Sequence, residues 1–280
     1  MLSSMRSPLR AVTLVGLLMF QAAGAEALES PWADTGKAQV RLLAAGASRN
    51  DSAALRAGVE IRLAPGWHTY WRYPGDAGVP PRFDWSGSSN LAAVEVRWPA
   101  PERIPVEGGL QSIGYEGNVI LPLSVRPKDP AKPVVLRLKL DFGVCQTICI
   151  PADANLALDI PAKLSATQPA LAAAEARVPA RTPLGKDKGL SVLAVKIENG
   201  KEPRAVIDVA VPPHAPFDLF AEGPNDQWAL PLPEKIDAGA GKARYSVPFD
   251  GAPAGSLIPS HLRLTLTSGD RAIEVLAPLD

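Results

Sequence analysis

Apolar and polar residues alternate without a break in Leu136-Arg-Leu-Lys-Leu-Asp-Phe142, and no other feature limits the fold of this chain as strongly. Successive side chains of a strand point to opposite faces. Leu136, Leu138, Leu140 and Phe142 therefore share one face, and Arg137, Lys139 and Asp141 the other. The same period of two recurs in 94–98, 207–211, 262–267 and 273–276, and in the second half of 55–63. Such segments are half-buried antiparallel strands. Turn-forming clusters lie between them at 73–76, 78–81 and 86–90, and the 29 prolines and 23 glycines are spread through the alternating runs. Many short strands with this punctuation predict an all-β chain built as β-sandwiches.

The pattern breaks once. Residues 169–178 (PALAAAEARV) are alanine-rich with a proline at the start, which predicts a short helix. A Pro-rich linker follows at 179–185, and alternation resumes after Gly189. The expected organisation is two sandwich domains, 28–163 and 189–280, joined by helix and linker at 164–188.

The N-terminus reads as an export signal. Arg6 and Arg10 precede a ten-residue apolar core at 11–20, and Ala23-Gly24-Ala25 supplies a cleavage site, so 1–25 is a signal peptide. No later stretch is apolar for the ~18 residues a membrane-spanning helix needs. The mature chain is thus expected to be exported, without a membrane span, in a compartment that permits disulfides. It keeps 27 Lys+Arg against 29 Asp+Glu with no basic stripe, which excludes a nucleic-acid partner. His68, His214 and His261 are scattered and the two thiols are half a zinc site, so neither metal nor cofactor is expected.

Both cysteines fall within Phe142-Gly-Val-Cys145-Gln-Thr-Ile-Cys149-Ile-Pro151. A loop this short stabilises a fold by only about 2 kcal/mol, which favours a bond that is made and broken over a staple. Five extended residues would hold their end Cα atoms about 13 Å apart, whereas a disulfide needs roughly 4.4–6.8 Å, so the segment must fold back. Pro151 cannot continue a central ladder, which places the pair at a strand end on the surface. No Lys, Arg or His lies beside the cysteines in sequence to depress a thiol pKa. Either distant residues activate one thiol, or a more reactive partner thiolate drives the exchange, and the chemistry reads as a relay more than as a self-sufficient oxidoreductase.

Five of the six tryptophans precede residue 100. The aromatics of Gly66-Trp-His-Thr-Tyr-Trp-Arg-Tyr-Pro-Gly75 occupy both parities of a strand, so they cannot all point inward. Trp67, His68, Tyr70 and Trp71 are candidates for a partner-binding surface, with a sandwich core as the alternative.

The order Gly66-Trp-His-Thr-Tyr-Trp71, Pro74-Gly-Asp76, Trp98-Pro-Ala-Pro101, Gly114-Tyr-Glu-Gly117 and Cys145-x3-Cys149-Ile-Pro151 resembles the N-terminal periplasmic domain of the DsbD/ScsB family of thiol:disulfide interchange proteins. The resemblance covers roughly 30–160. It implies an immunoglobulin-like sandwich in the periplasm, with Cys145 and Cys149 as a redox pair in which one thiol attacks the partner disulfide and the other resolves it; Cys149 is taken as the attacker, a choice the sequence does not determine. It further implies a membrane-embedded thiol reductase as electron donor and periplasmic thioredoxin-like proteins as acceptors, the setting of cytochrome c biogenesis. Family members carry an aromatic cap over the cysteines, and Tyr115 stands at the matching place, where an ordinary hairpin aromatic is the alternative. The membrane and thioredoxin-like domains of full-length members are missing from this sequence, so electrons are expected from a separate protein. Two other functions compete: a non-enzymatic binding or adaptor module with a structural disulfide, and Cu(I) handling by the thiolates, for which no methionine follows residue 25.

Overall fold

The computed structural model describes residues 28–46, 54–185, 189–225, 227–239, 241–253 and 260–279; the expected signal peptide lies outside them. Twelve strands precede the helix: β1 (Leu28–Glu29), β2 (Ala33–Asp34), β3 (Ala38–Ala45), β4 (Leu55–Leu63), β5 (His68–Gly75), β6 (Arg82–Asp84), β7 (Leu91–Val96), β8 (Glu102–Pro105), β9 (Gln111–Glu116), β10 (Asn118–Pro127), β11 (Val134–Cys145) and β12 (Cys149–Ile160). Helix α1 (Pro169–Ala176) follows. Eight strands complete the chain: β13 (Ala180–Arg181), β14 (Ser191–Glu198), β15 (Arg204–Ala210), β16 (Phe217–Glu222), β17 (Glu234–Gly239), β18 (Lys242–Pro248), β19 (Ser260–Ser268) and β20 (Arg271–Leu279).

The N-terminal strands form two sheets. One runs β1-β3-β4-β10-β7 with β2 on β3, and the other β12-β11-β5-β9-β8 with β6 on β11. Their inner faces share one core, to which Val40, Val59, Leu121, Ile113, Leu138 and Leu156 belong. The alternating residues Leu136, Leu138, Leu140 and Phe142 all face it, as the period of two requires. The C-terminal strands form sheets β13-β20-β19-β16 and β14-β15-β18-β17 around a second core that includes Ile207, Leu264 and Val275. The chain is thus all-β, with two immunoglobulin-like sandwiches. Helix α1 starts at Pro169, buries Leu171 and Ala174, and packs them on Leu43, Ala45 and Ile120 of the first sheet.

The two sandwiches meet along β5. β5 and β9 lose register between Tyr70 and Gly75, which frees this stretch of β5 to turn toward the C-terminal half. Trp71 packs in the first core against Phe220 of β16, with ring centroids 5.9 Å apart. Arg72 pairs with Glu222 at 2.7 Å and with Glu274 at 2.8 Å. The Tyr73 hydroxyl donates to the Leu230 carbonyl, and Arg103 pairs with Asp218 at 2.7 Å. Arg72 is desolvated at this seam, yet the two carboxylates hold its pKa above the usual guanidinium value. Removing one partner of a buried pair leaves an uncompensated charge, so these contacts fix the relative orientation of the halves.

Candidate redox site

β11 and β12 make one hairpin of two twelve-residue strands, paired without a slip from Val134↔Ile160 to Cys145↔Cys149. Gln146, Thr147 and Ile148 form the turn, in which the Gln146 amide donates to the Ile148 carbonyl at 3.1 Å. The last pair of the ladder is the two cysteines, joined by a disulfide with Cα atoms 4.1 Å apart. The chain thus folds back where the spacing demanded it. Pro151 is tolerated within β12 because β12 is the edge strand of its sheet.

Parity decides which way the sulfurs face. Core-facing residues of the hairpin carry even numbers, from Leu136 to Val144 and from Ala152 to Ile160. Cys145 and Cys149 are odd and stand on the outer face of the sheet. There they differ: Cys145 is 1% exposed, whereas Cys149 lies open to solvent.

Tyr70 makes that difference. β5 runs along the inner edge of β11, with His68 opposite Cys145 and Thr69 opposite Val144, and the Thr69 hydroxyl donates to the Gly143 carbonyl at 2.8 Å. Two residues beyond His68, on the same face, the Tyr70 hydroxyl lies 2.6 Å from Cys145 Sγ and 3.1 Å from Cys149 Sγ. Disulfide sulfurs carry no hydrogen, so the hydroxyl donates. Burial pushes its pKa above the ordinary tyrosine value, against a smaller lowering by Ser112, so it keeps its proton at neutral pH.

Two glycines make room for the Tyr70 ring. A Cβ on Gly78 would sit 2.3 Å from Tyr70 Cε1, and one on Gly143 would sit 2.9 Å from Cε2. Gly78 belongs to the 76–81 loop, held down where the Ser112 hydroxyl donates to the Ala77 carbonyl at 2.8 Å and the Asp76 amide to the Gln111 carbonyl at 3.0 Å. Sequence reasoning missed both walls. Gly143 left a signal, since a glycine that closes an alternating strand marks a close approach.

His68 is buried beside the disulfide, its ring edge-on to Tyr70 at 5.6 Å. Its Nε2 is sealed from solvent with no hydrogen-bond partner among the described residues. Burial pushes the imidazole below its ordinary pKa, partly opposed by Glu116. No Lys, Arg or His adjoins the cysteines in sequence, so a titratable neighbour has to come from a distant residue. The sheet brings one from another strand.

The remaining candidates divide by face. Trp67 and Trp71 point into the core at 8% and 0% exposure, so they are packing residues and form no surface. Tyr115 is opposite Thr69 on β9 and shares its inward face. Its ring is in the core and its hydroxyl donates to the Pro99 carbonyl at 2.8 Å, so the aromatic over the sulfurs is Tyr70 in place of Tyr115. Exposed apolar side chains stand instead at Ile148, in the turn between the cysteines, and at Val79, next to the Gly78 that walls the Tyr70 ring.

A disulfide with one open and one shielded sulfur, at the tip of an edge hairpin in an immunoglobulin-like sandwich, has the form of a thiol:disulfide interchange domain. The comparison with known families agrees: residues 39–161 match the N-terminal domain of the thiol:disulfide interchange protein DsbD, and the first sandwich belongs to that family. The whole chain is also similar in fold to the crystal structure of the N-terminal periplasmic domain of ScsB from Proteus mirabilis. That match has a TM-score of 0.69 and 23% identity over 91% of this chain and 99% of the other. No curated protein sequence matches the chain.

Proposed function

We propose that this chain is a periplasmic thiol–disulfide interchange protein. In this reading, 28–163 is the exchanging domain, and Cys145–Cys149 carries electrons from a membrane-embedded thiol reductase to periplasmic proteins with thioredoxin-like sites. The observation that carries the reading is the asymmetry of the pair, with Cys149 open and Cys145 under the Tyr70 hydroxyl.

The chemistry follows from that asymmetry. A donor thiolate attacks the exposed Cys149 Sγ, a donor–Cys149 disulfide forms, and the Cys145–Cys149 bond breaks. Cys145 leaves as a thiolate that the Tyr70 hydroxyl stabilises, since a hydrogen bond to the charged form lowers a thiol pKa. The donor's second thiol then releases Cys149, and both cysteines are reduced. In the outward half, Cys149 attacks a substrate disulfide and Cys145 resolves the mixed disulfide. Ile148, exposed in the turn between the two cysteines, offers an apolar contact on which a partner seats.

Trapping tests the roles. Reduced Cys145→Ser is expected to accumulate reductant-sensitive adducts through Cys149 in periplasmic extract, and Cys149→Ser to accumulate none. If neither variant traps a partner and the potential of the pair lies below about −300 mV, the bond is structural and the adaptor reading replaces this one. Tyr70→Phe is expected to make the potential more negative, because it removes a donor that favours the reduced, thiolate form.

A further inference from the structure

Three neighbouring strands set three side chains in one row. Cys145 on β11 is paired with His68 on β5, and His68 with Glu116 on β9. Residues directly opposite across a ladder hold their Cβ atoms about 4.5–5.5 Å apart on a common face, so thiol, imidazole and carboxylate stand in sequence across the sheet. The middle member is anomalous. His68 is 4% exposed, and its Nε2 has no hydrogen-bond partner among the described residues of this disulfide-bonded form. A buried polar atom in that condition calls for an explanation, and a group that gains a partner in the other redox state supplies one.

We propose that His68 is the proton acceptor for Cys145 in the reduced protein, with Glu116 on its far side supporting the imidazolium. The proposal rests on the interchange reading of the cysteine pair. The titratable groups facing the imidazole are Cys145 on β11, Tyr70 on its own strand and Glu116 on β9, with Cys149 one strand beyond Cys145. Tyr70 stays protonated and cannot take the thiol proton, so the imidazole is the neutral base of the group. In the resolving step, His68 takes the thiol proton of Cys145. The Cys145 thiolate attacks Cys149 Sγ, the Cys145–Cys149 bond forms, and the bond from Cys149 to the substrate sulfur breaks. The substrate leaves as a thiolate and recovers the proton, so two electrons pass to the substrate and His68 ends neutral.

An aromatic disulfide that releases coloured nitrothiobenzoate separates the two steps. Reduced wild type is expected to release one equivalent as Cys149 is modified, and a second as Cys145 resolves the adduct. With His68→Gln the first release is expected to keep its rate, while the second slows roughly ten-fold or more at neutral pH. The pH profile of the second phase should also change. In the wild type it levels off above the imidazole titration, and in His68→Gln it climbs on toward the ordinary thiol value of about 8.5.

Glu116 is exposed, so Glu116→Gln keeps the fold. It is expected to move the wild-type inflection to lower pH, because the carboxylate that raises the imidazole pKa is gone. Equal slowing of both phases in His68→Gln, or unchanged second-phase kinetics, overturns the proposal. So does an unmoved inflection in Glu116→Gln, which decides the matter if His68→Gln fails to fold. A wild-type protein that stops at one equivalent overturns the interchange reading itself.

Discussion

Each sandwich contains a long, regular hairpin, β11–β12 in the first and β19–β20 in the second, and the two are closed differently. β19 and β20 pair from Ser260↔Leu279 to Ser268↔Arg271 and turn through Gly269 and Asp270, with Gly269 at φ +55°. β11 and β12 are longer and equally regular, yet their turn carries a disulfide. The C-terminal hairpin shows that a ladder of this length holds its register through its buried face and an ordinary turn. Leu262, Leu264 and Leu266 do there what Leu136, Leu138 and Leu140 do in the N-terminal hairpin. The cysteines add a bond at a position that packing already fixes. A bond that the fold does not require is free to be broken in use.

The comparison can be broken most strongly in the cores. Leu138→Ala and Leu264→Ala, at fully buried positions of the two hairpins, are each expected to cost about 2–5 kcal/mol in denaturant unfolding. A much smaller loss at Leu138 would mean that the N-terminal hairpin depends on its disulfide. Reducing the pair, or replacing both cysteines by serine, is expected to cost no more than about 2 kcal/mol in the same assay. A loss above that of Leu138→Ala would make the bond a staple.

Turn chemistry comes next. Gly269→Ala is expected to cost about 1 kcal/mol, because an L side chain is strained at positive φ even though nothing stands within 4 Å of its Cβ. The N-terminal turn relies on no such residue, and Thr147→Ala there should leave the melting temperature nearly unchanged.

The smallest effect is a pH dependence that belongs to the N-terminal hairpin alone. Burial lowers the pKa of His68, so the unfolded chain takes up a proton that the fold resists. Its contribution is fully present above the ordinary histidine value of about 6.5 and is lost as pH falls through the lowered folded value. Unfolding between neutral and mildly acid pH should show this slope in the wild type and a flatter one in His68→Gln. Equal slopes would remove His68 as its source.

Much of this was legible before folding. The alternation at 136–142 assigned its faces correctly, and the short spacing of the cysteines demanded the turn that closes their hairpin. The resemblance drawn from the 66–76, 98–101, 114–117 and 145–151 motifs falls within or beside the stretch that matches the DsbD N-terminal family. The aromatic cluster was legible only in part. Its two parities showed that some rings face outward, but nothing local told which parity is the core. Tyr115 was misplaced for the same reason, since the register of β9 against β5 sets its face and no residue near it in sequence reports that register.

The sequence by itself therefore determined what is periodic or near in the chain: strands, turns, the thiol pair and its short loop. Tertiary structure alone decided what surrounds the pair. Cys145 is shielded because Tyr70 arrives from another strand between Gly78 and Gly143, and it has a base nearby because the ladder sets His68 opposite. Pairing across a sheet joins residues far apart in the chain. The chemistry of Cys145 is set by those neighbours, and local composition is silent about them.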